Sequence, residues 1–290
     1  MLNRIRPILL LFMLMCVGTT YAQFGFSHEI GFVVGPNAFQ SDYGERNDFE
    51  TNIGNVGAEF GIVHYLNFSY RAECNCFTRY TYFNDHFKVR NELTYTTVNL
   101  EHFGRFVGDD KVSITADQLR AMTGSTRVLN LGTQLEFFPR SIREFESGGY
   151  LLAPYAALGA QYHYYTPTVQ SDRGPLASPG VLPIKYQDAY KNESSSTWSI
   201  VASVGTRYKF TETSDLLLDL RWRYYFSNWV DGLNPDENLY PENKANDWSF
   251  VISVGYIYYL NYPLCILNNA NFNIVNISFE NKPVNVLNGC

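Results

Sequence analysis

Residues 214–229 read Ser-Asp-Leu-Leu-Leu-Asp-Leu-Arg-Trp-Arg-Tyr-Tyr-Phe-Ser-Asn-Trp, and two sequences are interleaved in them. Leu216, Leu218, Leu220, Trp222, Tyr224 and Phe226 form one face; Leu217, Asp219, Arg221, Arg223, Tyr225 and Ser227 form the other. A period of two residues belongs to a β-strand. An unbroken apolar face backed by charges does not suit an ordinary core strand. It suits a strand of a transmembrane barrel, with lipid outside and a polar lumen inside.

The N-terminus points the same way. Arg4 and Arg6 precede an apolar run at 8–17, and Thr20-Tyr21-Ala22 precedes Gln23. This is the layout of a secretory signal peptide over residues 1–22, too short for a stable span. No later stretch approaches the ~20 consecutive apolar residues of a membrane helix. An exported chain without a helical span can cross a membrane only as a closed barrel. The 22 Tyr and 21 Phe supply the aromatic residues that interfacial girdles require. A net charge of -6 argues against a nucleic-acid partner, whose phosphates need a basic surface.

We therefore expect an all-β, antiparallel up-and-down transmembrane barrel over residues 23–262 of a Gram-negative outer membrane. The alternating segments are 24–35, 56–68, 87–103, 127–138, 150–165, 197–210, 214–229 and 248–260. In the third, the alternation slips near Thr97-Val98, which predicts a β-bulge. Small inward residues, Gly159, Gly205 and Gly255, suit a narrow, curved lumen. With the N-terminus periplasmic, the long outer loops are 36–55, 104–126, 166–196 and 230–247, and the inner turns are 69–86, 139–149 and 212–213. The turn at 69–86 is long enough to hide a hairpin through 78–82, so ten strands is the alternative to eight. Residues 115–123 predict a short helix in an outer loop, with Thr115 as N-cap. The tail, 263–290, is Asn-rich, alternates poorly and is expected to be disordered, with a lumen plug or the product of an altered reading frame as alternatives. Cys16 leaves with the signal peptide. Cys74 and Cys76 are too close for an easy mutual bridge and are read as two thiols in an irregular turn, with a disulfide to Cys265 or Cys290 in the tail as the alternative.

The most specific polar feature is the set of inward charges: Glu29, Glu59, Lys88, Arg90, Glu92, Glu136, Arg207, Lys209, Asp219, Arg221 and Arg223. Eight strands leave an interior that side chains just fill, and opposite charges there must pair because an unpaired buried charge is costly. The expectation is a salt-bridged plug, with a selectivity ring in a small diffusion channel as the alternative. A third reading, a lipid-modifying enzyme, would use His163, Ser227 and Asp231 at the outer rim; a triad is recognised by geometry, which spacing does not supply, and no enzyme is expected. His28 and His64 fall on outward faces, near the ends of their strands. No cofactor is called for, and no His-Glu-x-x-His metal spacing occurs. Asp42, Asp48, Glu50, Asp109 and Asp110 are acidic loop positions, read as solvated. Expected partners are outer-membrane lipid and, through the outer loops, another envelope protein or a surface glycan. The sequence sets no oligomeric state.

The Thr-Tyr-Ala-Gln end of the signal peptide, the Ser-Asp-Leu-Leu-Leu-Asp-Leu-Arg-Trp-Arg-Tyr-Tyr-Phe strand and the closing Val-Gly-Tyr-Ile-Tyr-Tyr-Leu segment resemble an uncharacterised family of small outer-membrane β-barrels of Bacteroidetes. The resemblance covers about 23–262. It implies fold and location and assigns no catalytic residue. Proteins of this type are sometimes described as glutamate dehydrogenases, but no Gly-x-Gly-x-x-Gly follows a strand and opens a helix here.

Overall fold

Eight alternating segments become eight strands, and their registers close on themselves. The computed structural model describes residues 26–45, 48–69 and 81–260. The strands are β1 (Ser27–Gln40), β2 (Val56–Asn67), β3 (Phe87–Glu101), β4 (Met122–Phe137), β5 (Leu152–Ser171), β6 (Ser195–Thr211), β7 (Ser214–Tyr225) and β8 (Trp248–Tyr259). Each pairs antiparallel with the next, and β8 pairs with β1. Eight strands suffice for closure, so the ten-strand alternative is set aside; Tyr82 opens a short helix, Tyr82–His86, rather than a hairpin strand.

The stagger of the closure can be read from the pairs. Ile30 faces His64, then in turn Asn91, Thr133, Ala160, Ile200, Tyr224 and Trp248, which faces Gln40. One circuit thus advances ten residues along β1. With strands about 4.8 Å apart and about 3.3 Å per residue, this tilts the strands by about 40° and leaves a backbone radius of about 8 Å. That interior admits side chains and little else. Inward glycines make local room: a Cβ on Gly205 would stand 2.5 Å from the Tyr155 hydroxyl.

The outward face is the one a lipid-facing barrel requires. Phe32, Ile62, Leu131, Leu158, Val204, Leu218 and Val254 are all exposed. At the lower rim, where the N-terminal end of β1 lies, Phe26, Phe68, Phe83, Phe87 and Phe137 contact one another in a chain with centroids 4.8–5.5 Å apart. At the upper rim, β3, β4 and β5 carry outward Thr97, Asn99, Glu101, Thr123, Ser125, Arg127, Thr166, Thr168 and Gln170. These polar strand ends rise above the apolar belt as a wall on one side.

Several boundaries differ from the expectation. Strand β1 runs on to Gln40, β4 begins at Met122 and β5 continues to Ser171, so the outer loops are shorter than expected. The β3–β4 ladder is continuous from Phe87–Phe137 to Glu101–Thr123, with no bulge near Val98. Inward positions there become apolar (Val98, Leu100, Met122, Val128) while the outward ones are polar, so the polarity of the two faces inverts while the pleat continues. The register shift lies elsewhere, between Lys209 and Thr211 at the tight turn into β7. The predicted loop helix is Ile114–Ala121, and its cap is Ser113, whose hydroxyl accepts from the Ala116 N–H at 3.1 Å, not Thr115. Strand β7 stops at Tyr225, and Phe226 starts the last outer loop. The signal peptide, the tail and all five cysteines lie outside the described residues.

Candidate functional site: the lumen and its outer cap

Three tiers of polar side chains fill the lumen from the lower end upward. In the lowest, Lys88 Nζ lies 2.5 Å from Glu29 and 3.2 Å from Glu146. Arg207 bridges Glu29 at 2.6 Å and Glu136 at 3.0 Å, with its guanidinium 4.0 Å from the Tyr65 ring centroid. Lys209 donates to the Tyr259 hydroxyl at 3.0 Å, which donates to Asp215 at 2.6 Å. In the middle tier Arg90 meets Glu92 at 3.1 Å and Asp219 at 3.2 Å; Arg221 meets Asp219 at 2.8 Å, Glu59 at 3.0 Å and Glu92 at 3.1 Å. The Tyr155 hydroxyl donates to Asp219 at 2.6 Å. In the third, Arg223 meets Glu59 at 2.9 Å and donates from Nε to Gln161 at 2.7 Å, while Thr96 donates to Glu59 at 2.7 Å.

All eleven inward charges read from the sequence therefore lie in the lumen, and each has an opposite partner there. Arg90, Arg207, Arg221 and Arg223 are each 0% exposed. Two carboxylates of the network were missed. Asp215 shares the parity of Leu217 and Asp219 and was legible in the β7 pattern. Glu146 was not, because it comes from a helix in the β4–β5 turn, Ile142–Glu146, which folds back into the lower mouth. Burial pushes the Glu146 carboxyl up, against the opposing pull of Lys88. Phe138, Ile142 and Phe145, all 1% exposed, close that end around it.

The rim triad does not assemble. His163 lies within the strand rather than at its top, since β5 runs on to Ser171. Its ring is fully buried between Asn130 Oδ1 and Ser199 Oγ, each at 2.7 Å, and stands edge-on to Tyr225 with centroids 4.8 Å apart. Ser227 is instead within 3.3 Å of the Tyr165 hydroxyl and accepts from the Trp229 N–H. Asp231 accepts from the Asp42 N–H at 2.6 Å and the Leu233 N–H at 2.8 Å. Asp42, Asp231 and Asp247 are buried, with carboxylate oxygens within 4.8 Å of one another. Asp247 accepts from the Val230 and Asp231 N–H groups, so this cluster ties down the base of the last loop. Asp48 caps the short helix Phe49–Asn52 and pairs with Arg105 at 2.8 Å. Asp110 pairs with Lys111 at 2.8 Å. His28 and His64 meet on the outer surface at 3.1 Å.

Above the third tier the lumen changes character. Phe39, Val98, Leu100, Met122, Val128, Tyr165, Val169 and Tyr225 point inward from the strands, and Leu182, Tyr186, Val230 and Leu233 come down from the loops to meet them. The Tyr186 hydroxyl donates to the Asp42 carbonyl at 2.8 Å and Thr126 donates to the Val230 carbonyl at 2.6 Å, so the loops are latched to one another and to the wall. On this apolar seal sits an outward-opening cleft of about 510 Å³ to which all four outer loops contribute. The His102 ring lies between Tyr43 and Tyr186, at 5.1 and 5.6 Å, on its floor. Its residues are scattered through loops and carry no periodic signal, and the sequence did not reveal it.

No family model matches the chain, and no curated protein matches it. Among solved structures it is similar to a major outer membrane protein of Thermus thermophilus (13% identity over 81% of this chain and 98% of that one, TM-score 0.42). It is also similar to the outer membrane protein OprG of Pseudomonas aeruginosa (12%, 80% and 95%, TM-score 0.38) and to Neisserial surface protein A (14%, 81% and 96%, TM-score 0.37). At these scores the likeness carries no argument about role; the barrel described above rests on this chain's own registers.

Proposed function

We propose that this protein is an integral outer-membrane barrel with a sealed, salt-bridged lumen, acting as a structural or interaction protein through its outer loops. One observation carries the reading: four arginines on three strands cross the lumen with no exposure and with carboxylates against each guanidinium. A conducting pore needs a wet path past such groups. Here they pair across the barrel, and an apolar layer lies above them. The apolar outward belt supports lipid as the surrounding medium, and the overall acidity speaks against nucleic acid. The outer-face partner is an envelope protein or a surface glycan.

The test is single-channel conductance of the folded, detergent-extracted protein in a planar bilayer. A silent membrane, with folding established by heat-shifted gel mobility, is expected. Steady openings whose selectivity changes in Arg221→Ala or Arg223→Ala would overturn the sealed-lumen reading and favour a diffusion channel.

A further inference from the structure

The cleft above the seal has the build of a ligand site. Its volume lies within the about 300–1,000 Å³ usual for small-molecule sites, and its lining mixes apolar walls with a few convergent polar groups, as such sites do. Six aromatic rings line it: Tyr43 and Tyr186, which are buried, His102, Phe103 and Tyr240, which are partly exposed, and Phe106, which is exposed. The accessible ring faces of such a lining receive flat, C–H-rich surfaces.

Its charges are already paired. Lys185 meets Glu242 at 2.9 Å while lying 5.3 Å from the Tyr240 ring centroid, and Glu45 meets Arg105 at 2.5 Å. An anionic ligand would meet two carboxylates, and a cationic one would have to displace Lys185 or Arg105. Hydrogen-bonding capacity, by contrast, is still open. Gln118 is buried and donates once, to the Gly180 carbonyl at 2.8 Å, leaving its amide oxygen and second N–H. Thr115 and Gln187 line the cleft with exposed hydroxyl and amide groups. Donors and acceptors are therefore interleaved among aromatic rings, and a polyhydroxylated ring answers both at once: its C–H face to the accessible aromatics, its hydroxyls to the amides.

We propose that this cleft binds an uncharged sugar unit of a glycan presented at the cell surface. The inference deepens the outer-loop reading above and rests on it.

The test is saturation-transfer NMR and titration calorimetry on the full, detergent-folded chain. The probes are glucose, galactose, mannose, N-acetylglucosamine and maltose, with glucuronate as the charged control, and the same preparation is assayed for conductance. Saturation transfer to at least one neutral sugar, little to glucuronate and a silent bilayer are expected. Tyr240→Ala, which leaves the barrel untouched, should weaken binding about tenfold, the effect of losing about 1.4 kcal/mol of contact. Gln118→Ala should do the same through lost hydrogen bonds. No transfer to any neutral sugar with a silent bilayer would overturn the sugar assignment and leave the sealed-barrel reading standing. Steady conductance would overturn that reading. Sugar binding unmoved by both substitutions, or binding of glucuronate alone, would overturn the cleft assignment whatever the bilayer shows. Selection of peptides from a displayed random library on the parent but not on Tyr240→Ala, with no sugar bound, would replace the sugar with a protein partner.

Discussion

The lower and upper halves of the lumen fill the same eight-stranded cross-section with opposite chemistry. Below, six Lys and Arg side chains face seven carboxylates across the barrel. Above, Phe39, Val98, Leu100, Tyr165, Val169 and Tyr225 make an oily seal with Leu182, Val230 and Leu233. The difference lies in who supplies the groups. All the lower charges but Glu146 stand on strands, so that network is part of the barrel wall. The upper seal is completed by loops, so it can open while the wall stays closed. Long charged side chains also reach across about 16 Å of backbone diameter and fill it with ion-paired ends, which shorter apolar ones cannot do without help from outside the strands.

The largest effect should follow from cutting the lower network at its most shared point. Glu59 accepts from both Arg221 and Arg223, at 3.0 and 2.9 Å, and from Thr96. Glu59→Ala leaves two buried guanidinium groups short of a partner and should cost about 3–5 kcal/mol, seen as loss of the heat-resistant folded band and a lower urea midpoint. Removing a charge together with its partner should hurt less. Glu59→Leu with Arg223→Met leaves Arg221 to Glu92 and Asp219, and it should recover most of the loss. If Glu59→Ala is as heat-stable as the parent, the lower half is not the structural element described here.

A cut in the upper half should behave differently in kind. Leu233 is fully buried in the seal. Leu233→Ala should destabilise its packing by about 2–4 kcal/mol. Because a loop carries it, the expected readout is local: faster hydrogen exchange and protease cleavage within 172–194 and 226–247, with the heat-shifted band unchanged. Global unfolding in Leu233→Ala would erase the contrast between the two halves.

How much of this was legible follows from the same contrast. Alternation exposed the lipid-facing stripe and the lower charges because there the two faces differ in polarity; Arg221 and Leu220 could not be confused. Where the inward face turns apolar, at Val98 and Leu100, and the outward face polar, at Thr97 and Asn99, the alternation reversed phase and a continuous ladder looked like a bulge. Glu146 entered from a helix with no two-residue period. The cleft draws on Tyr43, His102, Gln118, Lys185 and Tyr240, which only the closure of the barrel brings together. Candidate catalysis failed for a related reason: spacing along strands says nothing about which loop residue faces which wall, and His163 is engaged by Asn130 and Ser199.

The smallest predicted effect separates the halves by pH. Burial, with Lys185 adding to it, holds the His102 imidazole at about 3 even though the Tyr43 carbonyl accepts from the ring. An opened cap would return it to about 6.5, the value of a free histidine. Between those values the open form takes up a proton that the closed form refuses. The contribution to closure is therefore complete above about pH 6.5 and declines as the pH falls toward 3. Other groups near the ring constrain the window. Tyr43 and Tyr186 are pushed up by burial and stay neutral throughout, and Glu242, which burial pushes up, is nonetheless held low by its hydrogen bond to Lys185. Glu242 keeps its charge at pH 5.5, and the comparison with pH 7.5 is assigned to the imidazole through His102→Phe. Protease cleavage in the outer loops should rise modestly at pH 5.5, and His102→Phe, which keeps an aromatic ring between Tyr43 and Tyr186, should remove the dependence. The urea midpoint of the barrel should not follow it. If His102→Phe retains the full pH response, another group controls the cap, and the imidazole serves only to pack.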